Sequence, residues 1–341
     1  MSIKYKEIEK SVQQMVNRNQ YYDFLRGIAI LMVIAIHTFP QSDFSTADGV
    51  ANIIIRQIVG CPVPLFLAIS GFFLGRKALE TRDQTYSFWK KQIPRVYIPV
   101  LIWSLPLLIL AVINGKSLLI NITLFLGCGY SIYYFVALII QCYLLLPILQ
   151  KVHSIKGYII TSLLSSICVV FISWFIDGNL PLIVYAGPVI TWIIFFYMGI
   201  ELSKFERDYN ITILYILIPI CIILCIIESY MLQIHTQGIK GFGIKLSMYI
   251  YSALMILLLF SKRFEEKFKS NLILNRIITY IGSISFGLYL LHCYFITIIF
   301  RYIDVENYFF RWGIVSICSI MFVIALKKII PSKYYKLLGL I

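Results

Sequence analysis

The stretch "DFLRGIAILMVIAIHTF", residues 23–39, sets Arg26 and His37 in an otherwise apolar run. They are 11 positions apart. At about 100° per residue this is ~20° past three full turns, so both lie on one helical face, about 16 Å apart along the axis. A neutral imidazole can take a proton from a hydroxyl and later return it. Inside a membrane a His is costly and ordinarily faces a cavity or a polar partner. Arg26, near the end of the run, has two readings: a cation reaching the lipid headgroups, or a companion of His37 in a site.

Other residues could join such chemistry. In "GSISFGLYLLHCYF", His292 lies about 15 residues, or ~22 Å, into its own apolar run, close to the depth of His37. Either the two histidines line one cavity, or His292 is hydrogen-bonded to a neighbouring helix. Glu228, in "LCIIESYM", is a third ionisable group within an apolar run, as a partner for a His or as an interface residue. His153 and His235 fall in short connections and read as solvated. In "CPVPLFLAISGFFLGRK", Pro62 and Pro64 break the helix, and Ser70 and Gly71 make a small-residue notch. Such breaks are tolerated where protein or a cavity satisfies the backbone, and such notches equally serve helix packing. The loop that follows carries Arg76, Lys77, Arg82, Lys90, Lys91 and Arg95, more cations than orientation needs, and suits an anionic ligand such as a phosphate. Tyr133 and Tyr134 fit either a sugar-stacking surface or an interfacial aromatic belt.

The elements that must carry these residues follow from composition. Of 341 residues, 60% are apolar and 13% are charged. So much apolar surface requires lipid as solvent. The formal charge of +14 reads as membrane topology rather than nucleic-acid binding. About ten spans are expected, roughly 24–41, 53–75, 96–113, 132–150, 157–176, 182–202, 211–231, 244–261, 277–300 and 310–327. The expected fold is therefore an all-α polytopic bundle. With the N-terminus inside, 24 of the 30 Lys and Arg fall on the inner side and six on the outer, which places both termini in the cytoplasm. The expected organisation is a polar leader over 1–22 without a cleavable signal, one membrane domain over 23–330, and a tail over 331–341. The short piece 117–130 reads as interfacial or re-entrant. The eight cysteines sit in apolar runs without zinc spacing, so neither a metal nor a disulfide framework is expected.

Taken in order, "FLRGIAILMVIAIH", "VPLFLAISGFFLGRK", "WKKQIPRVYIP", "YYFVALIIQCYLLLPIL", "TWIIFFYMGIEL" and "IGSISFGLYLLH" resemble the motifs of acyltransferase family 3. The resemblance runs from about residue 20 to 335. It implies a multi-pass enzyme of the cell membrane that moves an acetyl or similar short acyl group from cytoplasmic acyl-CoA to a hydroxyl of an envelope sugar, polysaccharide or lipid-linked glycan. Acyl-CoA is then a donor substrate, and no tightly bound cofactor is implied. By position, His37 would be the catalytic His and Arg26 its companion, while Ser70, Gly71 and Phe72 match a Ser-Gly-Phe step. Arg95 matches the second Arg of an Arg-x-x-Arg loop motif. The first is replaced here by Gln92, with Lys91 beside it as a point charge without the bidentate fork. With Arg76, these cations would hold the CoA phosphates. The chain reads as the stand-alone form, without a fused esterase-like domain. The competing reading is a transporter or flippase of envelope glycans, since intramembrane His and Glu also suit proton coupling; the absence of an inverted repeat speaks against it.

Overall fold

The computed structural model describes residues 2–39, 44–152, 155–176, 180–205, 207–235, 243–269, 271–302 and 307–340, with side chains of the first helix described from Gln20 onward. His153 lies outside the described residues. Among the described residues the chain is helical, without a strand: α1 (Ser2–Thr38), α2 (Ala47–Ile58), α3 (Pro62–Leu74), α4 (Arg82–Ile113), α5 (Leu118–Leu126), α6 (Tyr134–Leu149), α7 (Ile155–Phe175), α8 (Leu182–Tyr185), α9 (Val189–Lys204), α10 (Thr212–His235), α11 (Leu246–Phe260), α12 (Lys262–Glu266), α13 (Ile273–Ser283), α14 (Ser285–Tyr302), α15 (Tyr308–Ile329) and α16 (Tyr335–Leu338). Eight helical stretches are long and apolar enough to cross a membrane, with α2 and α3 forming one of them; α9 and α11 are shorter, at 16 and 15 residues. Helices α4, α7, α10 and α15 leave rows of Ile, Leu and Phe uncovered, as lipid-facing helices do. The protein is a multi-pass membrane protein.

Local signals set the helix ends. Thr81 accepts from the Gln84 backbone while the Gln84 side chain accepts from the Thr81 backbone, a reciprocal cap that starts α4 at Arg82, so Arg82, Lys90, Lys91 and Arg95 lie on a helix and only Arg76 and Lys77 on the loop expected to carry all six. Thr46 and Asn307 cap α2 and α15 in the simpler way. Pro62 begins α3, where a missing N–H costs nothing. The backbone of residues 2–22 is helical and makes up the first part of α1. The segment 117–130 forms only the nine-residue α5, followed by a turn in which Cys128 and Ser131 have φ of 55° and 48°.

Helix α1 is the axis of the bundle, packed by α3, α13, α14 and α15. Tyr21, Tyr22, Leu25, Ala29, Ile30 and Ile34 are buried along it. Its crossing with α13 depends on glycine. A Cβ on Gly282 would sit 1.7 Å from the Asp23 carbonyl oxygen, and one on Gly27 would sit 2.1 Å from that of Ile278. The α3–α9 crossing is built the same way: a Cβ on Gly71 would meet the Phe196 carbonyl at 2.1 Å, and one on Gly199 that of Ala68 at 2.1 Å. Backbone cannot yield as a side-chain end can. Gly199→Ala is therefore expected to destabilise the protein by about 1–3 kcal/mol, read as a lower thermal midpoint of the purified protein in detergent.

Three of the expected spans are not continuous. The 53–75 run breaks between α2 and α3, the 182–202 run between α8 and α9, and the 277–300 run at Ile284. Gly60 and Pro62 at the first break, Ala186 at the second and Ser285 at the third all border the same internal cavity. Irregular backbone at membrane depth is stable where it is buried in protein or lines a cavity, and these breaks obey that rule. The C-terminal tail also packs inward. The Trp103 indole donates to the Leu338 carbonyl at 3.0 Å, and Leu340 is fully buried.

Candidate functional site

The cavity holds about 710 Å³ and is walled by parts of α1, α2, α3, α4, α6, α8, α9, α11 and α14, among other segments. Arg26, Ser70 and His37 all border it. Helix α1 thus presents both ionisable side chains of its one face to a single space. Arg26 is about one-third exposed and donates to the Asp23 carboxylate at 2.6 Å, with its guanidinium 5.1 Å from the centre of the Phe73 ring. This carboxylate partner engages one nitrogen of the Arg26 guanidinium.

His37 lies eleven residues deeper, at the last turn of α1. Its ring centre is 5.6 Å from that of His292, which is fully buried on α14. His292 Nδ1 sits 3.1 Å from the Leu288 carbonyl, the acceptor one turn back. That contact makes Nδ1 the protonated nitrogen and Nε2 an acceptor. Tyr289, one turn before Cys293 on the same helix, borders the cavity and has its ring 6.3 Å from that of His292. Its hydroxyl donates to the Ile132 carbonyl at 2.6 Å, while the Tyr133 hydroxyl donates to that of Leu290 at 2.8 Å. This reciprocal pair locks α14 to the start of α6. Tyr133 is thus committed to structure, whereas Tyr134 borders the cavity.

Arg56, one of the six Lys and Arg that fall on the outer side in the sequence, also belongs to this site. It is 8% exposed, borders the cavity, and donates through Nη1 to the carbonyls of Ile36 and Phe39 at 2.6 and 2.7 Å. Those carbonyls close the C-terminal end of α1 on either side of His37. A cation is favoured there by the helix dipole as well as by the two bonds. The signal in the sequence was an Arg four residues before Gly60 within an apolar run, which orientation alone does not explain. Arg56→Met leaves both carbonyls without this donor, and a loss of about 2–3 kcal/mol in stability is expected, measured by thermal unfolding of the purified protein.

The other expected site residues sit elsewhere. Gly71 is spent on the α3–α9 crossing. Phe72 is buried in an aromatic cluster, stacked on Tyr22 with ring centres 4.7 Å apart. Arg76 is exposed and its Nε donates to the Ser203 carbonyl. Lys91 and Arg95 are exposed one turn apart on α4, and neither borders the cavity, but Val96 beside Arg95 does. Tyr143 of α6 borders the cavity as well. Glu228 is no partner for a histidine here. Its carboxylate accepts from the backbone N–H groups of Leu246 and Ser247 at 3.2 and 2.7 Å and so caps α11, where the helix dipole favours an anion. Beside it Lys245, also counted as an outer-side cation, is fully buried and donates to Gln57 Oε1 at 2.6 Å, to the Cys225 carbonyl at 2.8 Å and to the Ser229 hydroxyl. His235 ends α10 with its ring 5.4 Å from that of Trp174.

A family model described as an acyltransferase domain, that of acyltransferase family 3, matches residues 19–327. Two amino-acid racemases of Enterococcus faecalis are each 32% identical to this chain, one over 160 residues (44% of this chain and 22% of the racemase) and one over 149 residues (40% and 20%). A serine/alanine racemase of Enterococcus gallinarum is 30% identical over 167 residues, 46% of this chain and 24% of its own length. The aligned stretches thus amount to about a fifth to a quarter of these relatives. No solved structure matches the chain. With the family model covering nearly all of it, and a membrane bundle that sets Arg26 and His37 on one cavity, the chain belongs to acyltransferase family 3.

Proposed function

We propose that the protein is an O-acyltransferase of the cell membrane that moves an acetyl or similar short acyl group from acyl-CoA to a hydroxyl of an envelope sugar or lipid-linked glycan. The observation that carries this reading is that Arg26, Ser70 and His37 border one cavity of about 710 Å³, with Arg26 partly exposed and His37 about 16 Å deeper along α1. In this account the N-terminus is cytoplasmic, in keeping with the 24 to 6 division of Lys and Arg. The donor enters from that side. Arg26 and Arg95, with Lys91 one turn away, attract its phosphates, and the acyl-bearing arm extends toward His37. Arg76 contributes through the charge of the same face.

His37 then acts as general base. Its neutral imidazole takes the proton of the acceptor hydroxyl while the hydroxyl oxygen attacks the thioester carbon. The tetrahedral intermediate collapses with cleavage of the C–S bond, and the imidazolium returns the proton to the departing thiolate. The products are the O-acyl glycan and free CoA. Transfer of the acyl group first to His37 itself is the alternative order of the same bonds. The low-polarity surroundings keep water from competing as acceptor.

The racemase names belong to the relatives, and racemisation is not carried over to this chain by alignments of under half its length. The experiment uses the purified full chain, radiolabelled acetyl-CoA and a crude envelope glycolipid extract. Label in the glycolipid supports the proposal. Failure of any acyl-CoA to label any glycan, with glycan movement across vesicles instead, favours a transporter.

A further inference from the structure

A second cleft, of about 300 Å³, lies apart from the central cavity, beside the crossing of α13 and α1. Gln20 of α1 and Arg276, Thr279, Tyr280 and Ser283 of α13 line it. The four residues of α13 stand at i, i+3, i+4 and i+7, so they form one stripe along that helix. All five side chains can donate a hydrogen bond, one of them is a cation, and none is an Asp or Glu. Beside the stripe Ile273, Leu274 and Ile277 are exposed, as residues facing lipid are. Gln20 stands where the polar leader gives way to the apolar run of α1, and Arg276 is one of the cations assigned to the inner side. The cleft thus falls at the level of the lipid headgroups.

Most of these donors are uncommitted. Ser283 donates to the Tyr280 carbonyl at 2.7 Å, but the side chains of Gln20, Arg276, Thr279 and Tyr280 have no hydrogen bond or ion pair among the described residues. The contrast with other helical threonines is direct. Thr123, Thr161 and Thr297 each donate to the carbonyl four residues back, at 2.9, 2.7 and 2.9 Å, which satisfies a hydroxyl within its own helix. Thr279 makes no such bond. Arg276 likewise lacks the carboxylate partner that Arg26 and Arg207 have. An arginine that only reaches toward headgroups needs no amide and hydroxyls gathered around it. Helix packing does not account for the stripe either, because α13 meets α1 through Gly282 and Ile278.

We infer that this cleft binds the phosphodiester headgroup of an anionic phospholipid, held by Arg276, Tyr280, Thr279 and Gln20, with its acyl chains along Ile273, Leu274 and Ile277. A phosphodiester only accepts hydrogen bonds and carries a negative charge, so it suits a set of donors around one guanidinium. Basic pockets between membrane helices at the cytoplasmic face take such headgroups. The bound lipid bridges α1 to α13 beside the crossing that Gly27 and Gly282 make tight, and so steadies the helix that carries Arg26 and His37. The inference stands independently of the proposed acyl transfer.

The test titrates phosphatidylglycerol into the delipidated full chain in detergent, with native mass spectrometry and the thermal midpoint as readouts. Saturable binding that raises the midpoint, and that weakens about tenfold or more in Arg276→Gln, supports the site. Lys267→Gln removes an exposed cation outside the cleft and should leave the affinity near that of wild type. Equal weakening in the two variants means diffuse attraction to basic residues and overturns the site, as does the absence of saturable binding to wild type. Phosphatidylcholine, whose ammonium offsets the phosphate charge, should bind several-fold more weakly; equal affinity overturns the anionic assignment. Displacement of the lipid by glycerol phosphate at equal concentration makes this a site for soluble phosphates and overturns the lipid. Should Arg276→Gln not fold, Thr279→Val and Tyr280→Phe decide: weaker binding in either supports the site, and wild-type affinity in both overturns it.

Discussion

Replacing His37 by Ala is expected to lower acyl transfer by about 10²–10⁴-fold, the range that a positioned proton-transfer group contributes. The loss should fall on kcat more than on the donor KM, because the cations proposed to hold the donor's phosphates are untouched. The geometry gives the reason. His37 ends α1, and Arg56 ties the carbonyls on either side of it, so the imidazole is held by a closed helix end rather than by a flexible loop. Its neighbour His292 is fully buried 5.6 Å away between ring centres, with Nδ1 engaged on its own helix. His292 therefore does not take over the role of His37 without a change of its hydrogen bond. His37→Gln keeps a polar side chain but supplies no base, and the same loss is expected. The measurement is single-turnover transfer of label from acetyl-CoA to glycolipid, with donor binding followed separately. Undiminished transfer in His37→Ala would remove His37 from the mechanism.

The second large effect is expected at Arg26. Arg26→Leu removes a charge that borders the cavity and also leaves Asp23 without its 2.6 Å partner. An unpaired carboxylate beside the donor's phosphates repels them, so attraction is replaced by repulsion. Truncating one member of such a pair costs about 2–3 kcal/mol, which corresponds to a loss on the order of 10²-fold in kcat/KM for the donor. The loss should appear mainly in the donor KM, opposite to the pattern at His37. A double substitution, Arg26→Leu with Asp23→Leu, removes the repulsion as well as the attraction and should recover part of the donor affinity. Donor kinetics of the three variants in detergent test this. Equal donor KM in wild type and Arg26→Leu would show that the phosphates bind elsewhere.

The extent to which the sequence disclosed this site differs residue by residue. The length and apolarity of the runs required helices in lipid, because nothing else satisfies the backbone there. The phase of Arg26 and His37 required a shared face, since α1 is continuous across both. Those are local properties, and local properties survive folding. What the sequence could not disclose depended on contacts between distant segments. Arg56 and Lys245 counted only as outer-side cations until the fold supplied carbonyls and an amide from α1, α2 and α10 as their partners. Glu228 had the same ambiguity and was resolved as a cap of α11, 18 and 19 positions away. Gly71 and Phe72 were legible as a motif, but not as packing surface against α9 and Tyr22. The breaks at Gly60, Ala186 and Ser285 lie far apart in the chain, and only the folded bundle brings them to one cavity.

One structure tests the central claim directly: the protein in nanodiscs with a non-hydrolysable acyl-CoA analogue, solved by electron cryomicroscopy. The account predicts the phosphates beside Arg26 at the mouth of the cavity and the acyl carbon within about 3–4 Å of His37, the separation a reacting pair requires. An analogue bound with its acyl group away from His37, or with its phosphates outside the reach of Arg26, would contradict it.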